Sequence, residues 1–203
     1  PGFWAGVRPG QAPSRSVRAR VIEVIEASAL TRHVEIDIPV DENREVRACP
    51  EKDVAKVAVV ERHRASGTMA VGLVRGFGLS DGAAASTVAH DSHNLLVVGM
   101  NDQDMAVAGN ILAEAGGGMV VVKGGEPLAF LPLPIAGLMS AEPVERVRAG
   151  VEELARAWRA LGCTMTSPFM TMALLALPVI PELRITNRGL VDTREFKFVR
   201  LFV

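Results

Sequence analysis

The segment VAHDSHNLLVVG, residues 88–99, brings two of the four histidines of the chain together with an aspartate and a serine. Imidazole and carboxylate groups can bind a metal ion, transfer protons or hydrogen-bond a ligand. Because the segment continues into an apolar stretch typical of a buried strand, we expect an extended or turn conformation. In an extended conformation, Asp91 and His93 face one side, and His90 and Ser92 face the other.

A metal site would need a further ligand, and His63 in ERHRASG could supply it from a neighbouring strand. No local motif specifies such a site, since the zinc signatures HExxH and HxE…PCxxC are both absent. We therefore predict no metal site made wholly within this chain. Two alternatives stay open: a small metallohydrolase that uses His63, His90, Asp91 and His93, and a polar turn whose side chains bond only the local backbone.

Two further motifs have weaker chemical interpretations. GLSDG, residues 78–82, matches the G-x-S-x-G nucleophile elbow, with Asp91 and His93 following in order. The elbow requires a strand-to-helix corner on a large parallel sheet, and Asp-Gly is an ordinary turn signal, so we expect a loop. The glycines at 116–118 follow a predicted helix, whereas phosphate-binding loops precede one, so they are predicted to end the helix.

Alternating strand patterns and two helical segments predict an α+β fold with mixed, mostly antiparallel strands and two main helices. Residues 1–16 are rich in Pro, Gly and Ser and are expected to form a lead-in or linker, and residues 17–203 one domain. The first helix is predicted to start at an Asn101 or Asp102 cap and the second at a Ser140 cap. The apolar face of the second helix comprises Val144, Val147, Val151, Leu154 and Leu161.

Composition excludes several functional classes. The net charge is −1, and no Lys/Arg cluster forms a stripe, so we expect no nucleic-acid binding. The longest apolar runs are much shorter than the roughly 18 residues that span a bilayer, so we expect no membrane insertion. Cys49 and Cys163 are isolated, which favours reduced thiols and a cytoplasmic location.

A resemblance to a known family covers about residues 19–203. The chain closely resembles the C-terminal domain of bacterial adenine deaminases, which belong to the amidohydrolase superfamily. The strings that carry the resemblance are RVIEVIE, VAHDSHNLLVVG, NDQDMAVA, GGGMVVVKGG, LPLPIAGLMS, PFMTMALLALPVIPELRITNRGLVD and FKFVRLFV.

The resemblance implies the hydrolysis of adenine to hypoxanthine and ammonia in purine metabolism. A divalent metal ion (Mn, Fe or Zn) activates the attacking water, and its ligands, beginning with an HxH pair, lie on a preceding (β/α)8 barrel. This chain has no HxH, and 203 residues cannot hold this domain and a barrel of about 250 residues. We therefore assign no metal ligand and no catalytic residue here, and expect the chain to be inactive without a barrel.

The resemblance also suggests a role for the histidine-rich segment. We hypothesise that residues 90–93 face the mouth of the barrel, where Asp91 or Ser92 hydrogen-bonds the purine or orders nearby loops and His63 supports them. The structural alternative is that this turn only packs the domain against the barrel. The expected partners are a barrel domain, in the same chain or a separate one, and adenine. We also expect a homo-oligomer. A stand-alone binding or assembly module is the main alternative.

Overall fold

A computed structural model describes residues 16–43 and 45–203. It confirms the α+β prediction, with an eight-stranded mixed sheet and a three-stranded antiparallel sheet. The predicted lead-in lies outside the described residues except for Ser16, which begins the first strand. No helix in the described ranges combines the length and apolar character needed to cross a membrane.

Eleven strands and three α-helices form from the described residues. In chain order they are β1 (Ser16–Val24), β2 (Thr31–Pro39), β3 (Val54–Val60), β4 (Met69–Arg75), β5 (Ala83–Ser86), β6 (Leu95–Gly99), α1 (Asp102–Glu114), β7 (Gly118–Lys123), β8 (Glu126–Pro132), α2 (Val144–Ala160), α3 (Pro168–Leu174), β9 (Leu183–Thr186), β10 (Gly189–Asp192) and β11 (Lys197–Val199). A short 3-10 helix, Pro50–Lys52, precedes β3.

The large sheet is open and has the strand order β2-β1-β4-β3-β6-β5-β7-β8. Every neighbouring pair is antiparallel except β1 and β4. Its central strands β3 and β6 are buried on both faces because helices cover both, and they are apolar except for Lys56, which pairs with Asp102. One face packs against α2, α3 and the small sheet around Trp158, and the other packs against α1 through Met105. The described residues form no closed barrel.

The predicted start and end of α1 are confirmed. The Asn101 side chain accepts a hydrogen bond from the Asp104 amide at 2.7 Å, which satisfies one of the free N–H groups of the first turn. The glycines at 116–118 all have positive φ, a conformation that L-residues with a side chain rarely adopt, and they end the helix. A hairpin turn at Gly124 and Gly125 joins β7 to β8.

The predicted Ser140 cap of α2 is wrong. The helix begins at Val144, and the Ser140 hydroxyl accepts a hydrogen bond from the Glu142 amide within the preceding turn. The apolar face is buried only at its C-terminal part: Leu154 is 1% exposed, whereas Val144 is 74% exposed. The third helix, α3, was not predicted as a helix, and its methionines divide between core and surface.

Five strands of the large sheet, β3, β4, β5, β6 and β8, meet their connecting segments at one end of the sheet. The register pairs Val60 with both Met69 and Leu95, so β3 ends where β4 and β6 begin. The strands β5 and β8 pair with their neighbours in such a way that β5 and β8 also end at the level where β3 ends. We call this end of the sheet, formed by residues 61–68, 87–94 and 133–139, the loop end. Because β1 is parallel to β4, β1 also starts at the loop end.

Candidate functional site

The histidine-rich segment forms a closed turn, which we call the HDSH turn (residues 90–93). The His93 amide donates to the Ala89 carbonyl at 2.7 Å, and the His90 amide donates to the Ala173 carbonyl of α3 at 3.1 Å. The predicted division of side chains between two sides is wrong, because this turn brings the His90 and His93 rings edge to face, with centroids 5.7 Å apart. Asp91 and Ser92 are exposed.

His63 lies against this turn, as the sequence suggested. Its Nε2 atom is 2.6 Å from the Ser92 carbonyl oxygen. Because a carbonyl only accepts hydrogen bonds, the Nε2 atom must carry the proton in this contact. The structure thus brings together all five candidate residues: His63, His90, Asp91, Ser92 and His93.

Arg62, which is not among the candidate residues predicted from the sequence, contacts the same turn. Its Nε donates to the His93 carbonyl at 2.6 Å, and its Nη2 donates to the Ala136 carbonyl at 2.6 Å. Burial lowers the pKa of Arg62 from its ordinary value. The only sequence signal was its position beside His63, together with the unusual string LPLPIAGLMS that contains Ala136.

The Glu61 carboxylate shapes the loop that carries Arg62 and His63. It accepts hydrogen bonds from the amides of His63, Arg64 and Ser66 and from the Ser66 hydroxyl, at 2.6 to 3.2 Å. Burial raises the pKa of Glu61, but these hydrogen bonds outweigh it and lower the pKa to about 2. The loop is therefore organised around a carboxylate that stays ionised near neutral pH.

His93 is held in its neutral form. Burial, followed by the neighbouring His90 and Arg62, lowers the pKa of His93. Its Nδ1 atom accepts the Ala89 amide at 3.3 Å, so the ring proton lies on Nε2. A protonated ring could not accept this hydrogen bond.

This arrangement does not match a metal centre. The described residues contain no group of three or more His, Cys, Asp or Glu side chains placed to hold a metal ion. In addition, the Ala89 amide already occupies His93 Nδ1, a ring nitrogen that would otherwise be available as a ligand. The HDSH turn is instead suited to hydrogen bonding through its exposed carboxylate and hydroxyl.

The GLSDG motif forms the expected loop. It leads into β5 at the end of the sheet opposite the loop end, rather than from a strand into a helix. The Ser80 hydroxyl donates to the Leu161 carbonyl at 3.0 Å, where α2 ends. Ser80 therefore has a structural contact and is separated by the length of β5 from Asp91 and His93.

Comparison with known proteins identifies the family. The family model "Adenine deaminase C-terminal domain" matches residues 28–197. The chain belongs to this family. The adenine deaminase of Moorella thermoacetica is 63% identical over 185 residues, which are 91% of this chain and 31% of the relative. The adenine deaminase of Clostridium botulinum strain ATCC 19397 is 54% identical over 195 residues, which are 95% of this chain and 32% of the relative. That of Brucella abortus strain 2308 is 51% identical over 186 residues, which are 92% of this chain and 32% of the relative.

The adenine deaminase C-terminal domain is thus one part of longer proteins. The chain spans about a third of the length of the curated relatives it matches. The resemblance inferred from the sequence is confirmed. The metal that the family implies for the whole enzyme does not fit the described residues, because they bring no three donor side chains together.

Proposed function

We propose that this chain is the C-terminal domain of an adenine deaminase and that the HDSH turn forms an edge of the active site in the whole enzyme. The observation that carries the proposal is topological. The strand β1 begins at the loop end, so the preceding part of the longer relatives would join the domain at the end of the sheet that exposes Asp91 and Ser92. A bound purine would lie between the two parts.

The proposed whole enzyme is a cytoplasmic hydrolase of purine metabolism that converts adenine and water to hypoxanthine and ammonia. Its Mn, Fe or Zn ion would lie on the barrel domain and activate water. The role of this chain is to bind and orient the purine. The Asp91 carboxylate can accept a hydrogen bond from a purine N–H, and the Ser92 hydroxyl can donate or accept one.

The test uses a chimera in which this chain replaces the C-terminal third of the Moorella adenine deaminase. This chain is 63% identical to that relative over the matched residues. We expect Asp91→Asn to lower kcat/KM for adenine by about tenfold or more, because a hydrogen bond to a charged group is lost. The control is Asp81→Asn, since Asp81 lies at the opposite end of the sheet in a loose 3.8 Å pair with Lys123.

Unchanged kinetics for Asp91→Asn with an intact unfolding transition would contradict the proposed role of the turn. A chimera that does not turn over adenine would count against the proposal as a whole. It would favour the alternative of a separate binding or assembly module.

A second measurement addresses the metallohydrolase alternative. The purified 203-residue chain is incubated with adenine and Mn²⁺ or Fe²⁺, and hypoxanthine is followed by ultraviolet absorbance. We expect no turnover by the chain alone, because the described residues offer no three-donor site. Turnover would contradict our placement of the chemistry on a barrel. Sedimentation of the same sample tests the proposed homo-oligomer, which exposed side chains of α2 such as Val144 and Val151 would favour.

A further inference from the structure

The Arg62 guanidinium connects two separate loops at the loop end. One of its nitrogens binds the last carbonyl of the HDSH turn, and another binds the Ala136 carbonyl in the 133–139 loop, each at 2.6 Å. A guanidinium presents several N–H donors in one rigid plane, so a single side chain can hold two carbonyls in a fixed relation. A lysine ammonium lacks this planar geometry.

The 133–139 loop is shaped to receive this guanidinium. A Cβ atom on Gly137 would lie 2.7 to 2.9 Å from three atoms of the Arg62 guanidinium, and its φ of +74° also favours glycine. The Gly137 carbonyl accepts the Thr87 hydroxyl at 2.6 Å, and the same hydroxyl accepts the Gly118 amide at 2.8 Å. Hydrogen bonds from Arg62 and from Thr87 therefore both hold the 133–139 loop in place.

The two loops differ in chemical character. The HDSH turn exposes Asp91 and Ser92, whereas the 133–139 loop exposes the apolar side chains of Ile135 and Met139, at 43% and 57%. A planar heteroaromatic ligand such as a purine has apolar faces and a polar edge, so both characters are needed to bind it.

We infer that Arg62 is a positioning residue that holds the HDSH turn and the 133–139 loop as the polar and apolar walls of one purine-binding surface. The inference rests on the proposed function for the identity of the ligand. Arg62 itself does not contact the ligand. Its effect is transmitted through the two carbonyls that it binds.

The first test measures amide hydrogen exchange in the purified chain for Arg62→Met and Arg62→Lys. The matched control is Arg64→Met, which removes the same charge from an exposed position two residues away. We expect both Arg62 variants to speed exchange at least about tenfold in residues 89–94 and in residues 133–139 together, with β6 unchanged. Faster exchange in only one segment, or equal effects of Arg64→Met, would overturn the inference.

The second test measures the kinetics of adenine deamination by the same chimera. We expect Arg62→Met to raise the KM for adenine about tenfold or more with a smaller change in kcat, because the surface that binds the purine is loosened. Arg62→Lys should not restore KM. If Arg62→Met leaves the KM for adenine unchanged while Asp91→Asn lowers kcat/KM, the positioning role of Arg62 is overturned and the proposed function stands. Unchanged kinetics in both variants would contradict the proposed function itself.

Discussion

Among single residues, Glu61 has the clearest pH dependence. The hydrogen bonds that it accepts lower its pKa from 4.5 to about 2 in the folded chain. A carboxyl group whose folded pKa is depressed stabilises the fold above its unfolded pKa, and the contribution is lost as the pH falls through the folded pKa. We therefore expect the 61–66 loop to loosen as the pH falls from about 4.5 to about 2.

Amide exchange of residues 61–66, corrected for the intrinsic pH dependence of exchange, measures this loosening. Glu61→Gln is the control, because an amide does not ionise in this range and should leave the loop without the transition. A wild-type loop whose corrected protection is the same at pH 5 and pH 2.5 would contradict the assignment.

The HDSH turn shows what could be predicted about the site from residue types. Residue types were enough to select four consecutive residues and His63, and the structure places these five residues beside one another. Arg62 was missed because its partners are backbone carbonyls of residues 93 and 136, which have no signature in the sequence. The side-chain directions were wrong because a backbone bond between residues 89 and 93 closes the segment into a turn.

At the scale of elements, Arg184 holds three segments together. This side chain is 1% exposed, and its guanidinium donates to the carbonyls of Ile180, Leu174, Pro181 and Ala29, the last by a short contact. Burial lowers its pKa to about 10, so it stays protonated near neutral pH. The β1–β2 turn and the end of α3 are thus fixed beside β9.

We expect Arg184→Met to lower the free energy of unfolding by at least about 3 kcal/mol, because several buried carbonyls lose their donor. Urea denaturation measures the change. Arg188→Met is the matched control, since Arg188 is exposed and lies 5.4 Å from the Phe198 ring centroid, a contact worth about 0.5–1 kcal/mol. Equal losses in the two variants would show that the buried guanidinium has no special role.

The helices show how far local sequence signals determine element boundaries. The start and end of α1 were predictable because a capping side chain and three glycines act within one turn of its ends. The start of α2 was not, because Pro143 and the local turn at Ser140 delay the helix. Its apolar stripe indicated burial, yet Val151 is 50% exposed, since periodicity does not specify how far a neighbour extends along the helix.

At the scale of the whole molecule, the strand order could not be predicted from the sequence, because it depends on pairings between segments that are distant in the chain. The α+β class followed from alternating patterns, but the parallel pairing of β1 with β4 and the position of β8 at an edge left no local signal. The last residues show the same dependence. The Leu201 side chain packs against two core clusters, and Ala19 forms a bridge with Phe202 beside the first strand.

This pairing predicts that the last four residues stabilise the whole domain. The Arg20 side chain donates to the carbonyls of Arg200 and Phe202, the Arg20 amide donates to Leu201, and the Val203 amide donates to Arg18. We expect deletion of residues 200–203 to lower the free energy of unfolding by about 4 kcal/mol, since four hydrogen bonds are lost at about 1 kcal/mol each. Urea denaturation with an unchanged slope is the measurement.

Replacement of residues 200–203 by Gly-Ser-Gly-Ser separates the two contributions of this segment. The replacement keeps the backbone donors and acceptors but removes the side chain of Leu201 that packs against the core. We expect it to recover part of the stability lost in the deletion, because the backbone pairing with Arg18 and Arg20 can re-form. A deletion with the urea midpoint of the intact chain would show that the sheet is complete without its last residues.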